Sequence, residues 1–528
     1  MKVQLIHPPL YLNVKAMTAL RPSLPLGLAY IAATLRNAGH EVSVIDAVGD
    51  APDQVTQGAR DQLFALGLTI PQLVSRLDPT IDAIGLTNMW SFSWPLVREL
   101  IGEIKRKLPH VPIVCGGEHF TGLPEFSMQQ APLDFIVLGE GEETAVELFA
   151  ALERGSTEFH SIHGLWYRDP DGTPKQSVQR RERRSSLDDI PWPAWDLFKV
   201  HTYTEQGYIN GVNAGMTIPI LATRGCPYQC TYCSNPGMWT TRWYSRDPKD
   251  VVAEIASYKE KFGATNFPFQ DLTAILKRDW IIEFCKELLA RNLGITWQFP
   301  SGTRCEVVDD EVAGLLAKTG GKSMAFAPES GSERTRKLIK KRMKTDSLMN
   351  AVHASVRNGL NISTFMVIGF PHDTNEDLKE TARLVRRLAW AGIDDSAVGF
   401  FFPIPNTQLY YELKASGRIT LDDDFLLTPV FANEEKLLPE NCYCDALSAK
   451  QLTRWKYRLL VNFYATSFAR RPWRVFRILI NAARGRETSK LETFLVDMLR
   501  RRKGFMWIKN LFRRRRDTDA PVPQQSGA

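Results

Sequence analysis

The stretch TIPILATRGCPYQCTYC, residues 217–233, runs an apolar strand directly into a loop that carries Cys226, Cys230 and Cys233. Helix DPKDVVAEIASYKEKFG follows, with Asp247 as N-cap and Pro248 in its first turn. Then come the strands NFPFQD, TWQFPSGTR, SMAFAPE, ISTFMVIGFP and DSAVGFFFPIP. Helical segments separate them, among them RDWIIEFCKELLARNLG, DDEVAGLLAKTGG, SLMNAVHASVRNG and EDLKETARLVRRLAWAG. Six β/α units of this kind predict a barrel or partial barrel over 216–415, with chemistry at the carboxyl ends of its strands. Polar or glycine residues fall at those ends: the cysteines, Gln270 and Asp271, Arg304, Glu329 and Ser330, and Gly369. One such residue means little. Five successive strand ends are explained by one site lining the mouth.

The spacing C-x3-C-x2-C is tight, and one ligand short for a structural zinc site, which closes with four protein ligands. Three thiolates suit three irons of a [4Fe–4S] cluster and leave the fourth iron open to a small ligand. The other cysteines, Cys115, Cys285, Cys305, Cys442 and Cys444, are unevenly spaced, as expected of reduced thiols in a cytoplasm. Cys442 and Cys444 read as exposed loop thiols.

Upstream, residues 1–155 alternate the strands KVQLIHPP, EVSVIDA, DAIGLTNMW, PIVCGG and DFIVLG with helices such as LGLAYIAATLRNAG, PLVRELIGEIKRKL and EETAVELFAALERG. The pattern predicts an α/β, doubly wound, Rossmann-like parallel sheet that binds its ligand beyond the carboxyl strand ends. Those ends carry His7, Pro8 and Pro9; Thr87 and Asn88; Cys115, Gly116, Gly117 and Glu118; and Gly139, Glu140, Gly141 and Glu142. Glycines there admit a large planar ligand close to the backbone. The same residues also read as tight strand-to-helix turns. No GxGxxG follows the first strand, which disfavours a dinucleotide. Residues 156–215 read as a connector with a hairpin around Asp169–Gly172, the charged run QRRERRSS and the turn IPWPAWD.

With Tyr232 preceding the last of its three cysteines, the chain resembles the radical S-adenosylmethionine (SAM) superfamily. The resemblance implies that SAM chelates the open iron. One-electron reduction from a flavodoxin- or ferredoxin-type donor then yields a 5′-deoxyadenosyl radical that takes hydrogen from an unactivated C–H bond. It assigns SAM contacts to Tyr232, Glu329, Ser330 and Gly369, and the guanidinium of Arg304 matches the fork of the SAM carboxylate; singly, each of these residues also reads as a buried turn or an ordinary ion pair. Because FPFQDLTA stands where a glycine-rich segment is usual, it assigns the SAM amino group to Asp271. Residues 1–155 resemble the cobalamin-binding domain of B12-dependent radical SAM proteins. That likeness implies corrin contacts from Pro8, Pro9, Thr87, Asn88, Gly116, Gly117, Glu118, Gly139, Glu140 and Gly141. No D-x-H-x-x-G occurs, so cobalt would carry no protein histidine, and His7 and His119 read as structural. The paired likenesses imply methylation of an unactivated carbon in a small-molecule or lipid-like substrate. One SAM would recharge the corrin and a second would make the radical. Oxidative ring closure, as in the anaerobic magnesium-protoporphyrin ester cyclases that the chain also resembles, is the alternative with the same domains. A non-catalytic corrinoid-binding sensor is the alternative of another class.

The net charge is +7, yet residues 470–516 hold 16 Lys/Arg against 3 Asp/Glu, which leaves the remainder at −6. Residues 416–515 read as mostly helical, with arginines interleaved with Trp473, Phe476, Phe505, Trp507 and Phe512 over 470–516. Basic amphipathic helices either lie on an anionic membrane surface or pack on the barrel. No nucleic-acid module accompanies the basic run, so nucleic acid is not expected. MKVQLIHPPLY has no secretory pattern, and no apolar run reaches about 18 residues. The expectation is a cytoplasmic enzyme in peripheral contact with the inner face of the membrane. Residues 516–528 are expected to be disordered.

Overall fold

Three apolar runs lie side by side and parallel: Lys2–His7 (β1) between Glu41–Asp46 (β2) and Ala83–Thr87 (β3). Ile113–Gly116 (β4) and Phe135–Val137 (β5) continue the parallel ladder. The structure, a computed structural model, describes residues 1–13, 21–58, 60, 63–432, 436–489 and 491–496. The parallel strands run in the order β2-β1-β3-β4-β5, so the switch point falls between β1 and β3. His7 and Thr87 end those two strands. The doubly wound reading therefore holds. The hairpin of Leu165–Arg168 (β6) and Pro174–Gln176 (β7) adds antiparallel to β5. The first sheet thus extends to residue 176, past the expected boundary at 155. An isolated hairpin is marginal in water, and this one covers an edge that β5 would otherwise expose. A small antiparallel sheet of Leu10–Asn13, Leu63–Leu66 and Val55–Gln57 was not legible in the sequence. Its strands are too short to show a period.

The second sheet is five parallel strands in chain order: Asn266–Pro268 (β8), Thr296–Thr303 (β9), Gly321–Glu329 (β10), Asn361–Ile368 (β11) and Asp395–Phe400 (β12). The expected leading strand lies parallel beside β8, with the bridges Thr217↔Asn266 and Ile220↔Phe269 and the N–H groups of Ile218 and Ile220 donating to the carbonyls of Asn266 and Pro268. Pro268 of β8 has no N–H to return, so the pairing stays irregular. The result is a partial barrel. Helix Pro248–Phe262 starts as its sequence requires, with Asp247 accepting from the Lys249 N–H, and ends at Gly263 in a left-handed conformation. Helix Ala449–Arg470 packs on helix Asn375–Ala391 and on β12, beside the last strand.

The C-terminal region touches both halves. Arg98 forks onto Asp423 at 2.7 and 3.1 Å, and Asn13 donates to the Val430 carbonyl. Helix Trp473–Ala483 is fixed at the amino end of β12, where Arg474 donates to the carbonyls of Ile393 (2.6 Å) and Gly392 (2.7 Å). Among the described residues no helix is long and apolar enough to cross a membrane. Phe505, Trp507, Phe512 and the expected tail lie outside the described residues.

The barrel's first helix is anchored by a buried charge cluster. Arg246, nearly inaccessible, pairs with Asp250 and the fully buried Glu254 and donates to the Leu221 carbonyl at 2.9 Å. Arg246→Met keeps the volume and strands Glu254 without a countercharge. It should cost about 3 kcal/mol or more, read as a lowered urea midpoint for barrel unfolding.

Candidate active site

Gly225 sets the entry to the cysteine loop. Its φ is +86°, and a Cβ there would lie 2.2 Å from the Arg242 carbonyl oxygen and 2.4 Å from the Arg183 guanidinium. Only glycine lets the loop, residues 239–242 and Arg183 meet. Cys226, Cys230 and Cys233 are each partly accessible. Burial pushes the thiols of Cys226 and Cys230 up, and that of Cys233 to about 12. The Asn235 N–H faces the Cys233 sulfur at 3.5 Å.

Glu329 stands at the end of β10, where the register with β11 slips and its own φ is +63°. A non-glycine residue in that region is held there by its surroundings. Its carboxylate accepts from the Tyr232 hydroxyl at 2.8 Å and from Lys341 Nζ at 3.1 Å. The structure thus brings Tyr232 and Glu329 together beside the cysteines and adds Lys341, which the sequence reading missed. Lys341 sits in an ordinary-looking basic run, KLIKKR, with no signal of its burial.

Other expected SAM residues are engaged elsewhere. The Asp271 carboxylate accepts from the Thr223 hydroxyl at 2.6 Å and from the N–H groups of Ala222 and Thr223, and so orders the strand end. Burial raises its pKa to about 6 against those hydrogen bonds. Arg304 is paired with Glu306, donates to the Arg342 carbonyl and stacks 4.0 Å from the Tyr228 ring centroid. Ser330 is buried, bonded to Thr381 at 3.2 Å and to the Ser332 N–H at 3.1 Å. Gly369, φ +87°, leaves room for Leu452 of the C-terminal helix, whose Cδ1 a Cβ would meet at 2.9 Å. Cys442 and Cys444 are also not exposed as expected: Cys444 is buried with its thiol 3.2 Å from the Asp373 carbonyl, and Cys442 is partly buried.

The strand ends of the first sheet face the cysteine loop. Gly117, φ +109°, lets Asn88 O approach, and the Asn88 N–H donates to Gly116 O at 2.9 Å. Glu118, next in the chain, accepts from the hydroxyl of Ser234, the residue after Cys233. Glu140 pairs with Arg183 (3.0 Å) and Arg224 (3.4 Å), and Glu142 with Arg224 at 2.7 Å. Arg180 and Arg183, from the charged run, donate to the carbonyls of Gly237 (2.6 Å) and Trp239 (2.9 Å). Gly141 packs on Ile31, and Pro8 and Pro9 are buried. His119 is fully buried with both ring nitrogens at serine hydroxyls, Ser91 at 3.0 Å and Ser127 at 3.2 Å, as a structural histidine should be. His7 has Nδ1 on Asp46 at 2.7 Å, and the Tyr203 hydroxyl donates to the same carboxylate at 2.9 Å.

The residues present fit an iron–sulfur cluster and a corrin. The three thiols sit in one short loop, each partly accessible. Among the described residues no group of three Cys, His, Asp or Glu is placed to hold a single metal ion. A cluster asks for less convergence, since each of its thiolates takes its own iron. At the end of β3, Asn88 Nδ2 is buried with no hydrogen-bond partner among the described residues, and Met89 and Trp90 beyond it are 47% and 57% exposed. An amide donor beside an apolar surface suits a flat ligand with a carbonyl-rich rim.

Family models match the chain twice: radical SAM superfamily over 220–385 and B12 binding domain over 16–149. The chain is 28% identical over 415 residues to an uncharacterized methyltransferase of Pyrococcus horikoshii, covering 78% of this chain and 82% of that one. It is 25% identical over 528 residues to the anaerobic magnesium-protoporphyrin IX monomethyl ester cyclase of Rubrivivax gelatinosus, covering 95% and 88%. The solved cobalamin-dependent S-adenosylmethionine radical enzyme OxsB, with aqua-cobalamin and S-adenosylmethionine bound, superposes with a TM-score of 0.65 at 15% identity. That match covers 99% of this chain and 82% of OxsB and shows a shared fold.

Burial would raise the Glu142 pKa, but Arg224 overrides it and holds the carboxyl below its ordinary value of 4.5. The ion pair therefore contributes fully above pH 4.5 and is lost as pH falls through the depressed folded value. Glu142→Gln should lower stability by about 3 kcal/mol at neutral pH. In thermal melts, the gap between wild type and variant should close on acidification below pH 4.5.

Proposed function

We propose, from the premise that this chain is a cobalamin-dependent radical SAM protein, that it transfers a methyl group to an unactivated carbon of an apolar, small-molecule or lipid-like substrate. One observation carries this reading. The cysteine loop and the carboxyl strand ends of the first sheet are in direct contact, through Ser234 with Glu118 and Arg224 with Glu140 and Glu142. A radical centre and a methyl donor would then share one boundary, as methyl handover requires.

When bound, the [4Fe–4S] cluster with SAM supplies hydrogen-abstracting radical chemistry, and cobalamin supplies the methyl group. Cys226, Cys230 and Cys233 would each give a thiolate to a separate iron. Each thiol would give up its proton to serve as a ligand. Glu329, braced by Tyr232 and Lys341, offers SAM a fixed acceptor. Asn88 Nδ2 offers the corrin rim a donor. Leu272 and Ile404, 46% and 42% exposed at barrel strand ends, offer apolar surface for substrate, while Met89 and Trp90 stay with the corrin. A flavodoxin- or ferredoxin-type protein would deliver the electron. Ring closure is the second reading, favoured by the relation to the Rubrivivax cyclase over 95% of the chain.

Anaerobically reconstituted protein should hold about four irons per chain, and the Cys226→Ala, Cys230→Ala, Cys233→Ala triple variant almost none. Zinc without iron–sulfur absorbance in the reconstituted wild type would reject the cluster. With the true substrate, methylation should release S-adenosylhomocysteine and 5′-deoxyadenosine in near-equal amounts. Deoxyadenosine in large excess would instead favour ring closure.

A further inference from the structure

Helix Trp473–Ala483 carries two faces with opposite fates. On one, Arg474 is only 7% exposed and holds the carbonyls of Gly392 and Ile393, the Ser467 hydroxyl at 2.9 Å and Asp394 at 3.3 Å. Arg477 reinforces it, pairing with Asp394 at 3.2 Å and Glu492 at 3.5 Å, and Ile478 is buried beside them. On the other face, Trp473, Phe476 and Leu479 are 61%, 67% and 62% exposed, and Ile480 is half exposed. Buried Arg474 and half-buried Arg477 dictate this outcome. Turning the helix over to hide its aromatics would strip two guanidiniums of their carbonyl and carboxylate partners.

The apolar face is rimmed by cations. Arg470, exposed, lies over the ring of Trp390, itself 62% exposed, at 5.2 Å from its centroid. Arg484 and Arg486 are exposed just past the other end of the helix. The sequence then continues, over 498–516, with nine Lys/Arg and no Asp/Glu. An apolar strip this size on one helix needs a cover, and the rim selects it. A second copy of the chain would bring the same cations against themselves, whereas an anionic bilayer meets apolar strip and cationic rim together.

We propose that helix Trp473–Ala483 seats the amino-terminal base of the barrel on an anionic membrane surface, inserting Trp473, Phe476, Leu479 and Ile480 at the headgroup–acyl boundary. The proposal is independent of the reaction, since no residue in it touches the cysteine loop.

Full-length protein is co-sedimented with phosphatidylcholine vesicles with and without phosphatidylglycerol. Wild type should pellet with the anionic vesicles at low salt and be released near 1 M salt, where screening shortens to about 3 Å. Trp473→Ser with Phe476→Ser should weaken binding by about tenfold or more. Both positions face solvent, so the variant should melt with wild type. Arg484→Glu with Arg486→Glu should reduce the preference for anionic over neutral vesicles. Wild type that stays in the supernatant overturns the proposal, whether residues beyond 496 or another molecule covers the face. So does a serine variant that binds like wild type, or sedimentation velocity showing a wild-type dimer that the serine variant abolishes.

Discussion

One buried guanidinium joins the halves of this molecule. Arg224, with its side chain 5% exposed, lies between Glu142 and Glu140 of the first sheet and over the Tyr30 ring, 5.0 Å from its centroid. Neither half could bury its share alone, because an unpaired charge out of water costs several kcal/mol. The charge is compensated only when the turn after β5 and the residues leading into the cysteine loop lie side by side. Arg224 stands two residues before Cys226, so the charge fixes the cysteine loop as well. Arg180 and Arg183 extend the constraint by holding the carbonyls that follow the loop. The position of the cysteines is therefore set by the first domain as much as by the barrel that carries them.

That dependence explains which parts of the site could be read from the sequence. Alternation of strand and helix survives as a period, so both sheets were legible. The cysteine spacing is local, so it was legible too. The clamp was not: Arg180 and Arg183 sit in QRRERRSS, where every arginine looks like its solvated neighbours. Asp271 shows the same limit in reverse. A carboxylate at a strand end reads equally as a ligand contact and as a buried turn, and only the structure shows the Thr223 hydroxyl and two N–H groups bonded to it. Pro268 was visible all along as a residue without a ladder donor, and it leaves the pairing of the leading strand with β8 irregular.

The open barrel also makes the C-terminal region part of the site's wall. Five regular strands cannot close, and helix Ala449–Arg470 fills the gap by setting Leu452 against the backbone of Gly369. Behind it runs an aromatic chain from the cysteine loop outward: Tyr232 to Phe370 at 5.5 Å, Phe370 to Phe401 at 5.1 Å, and Phe401 to Tyr443 at 6.2 Å. Cys444 is buried because it lies next to this chain, at Asp373, whose side chain accepts from the N–H groups of Gly369 and Phe370. A segment with no readable chemistry of its own thus shapes the mouth from the side.

Helix Trp473–Ala483 and the cysteine loop lie at opposite ends of the strands. Arg474 grips Gly392 and Ile393, immediately before β12 begins, while the cysteine loop, Glu329 and Gly369 stand at carboxyl ends. The six residues of β12 span about 20 Å at roughly 3.3 Å per residue. A surface seated at the base would leave the mouth facing away from the bilayer and open to a soluble electron donor. It would also require an apolar substrate to leave the membrane before reaching the mouth. The proposed substrate class therefore rests on the strand ends alone, and the proposed membrane seat is a separate question of where the protein sits.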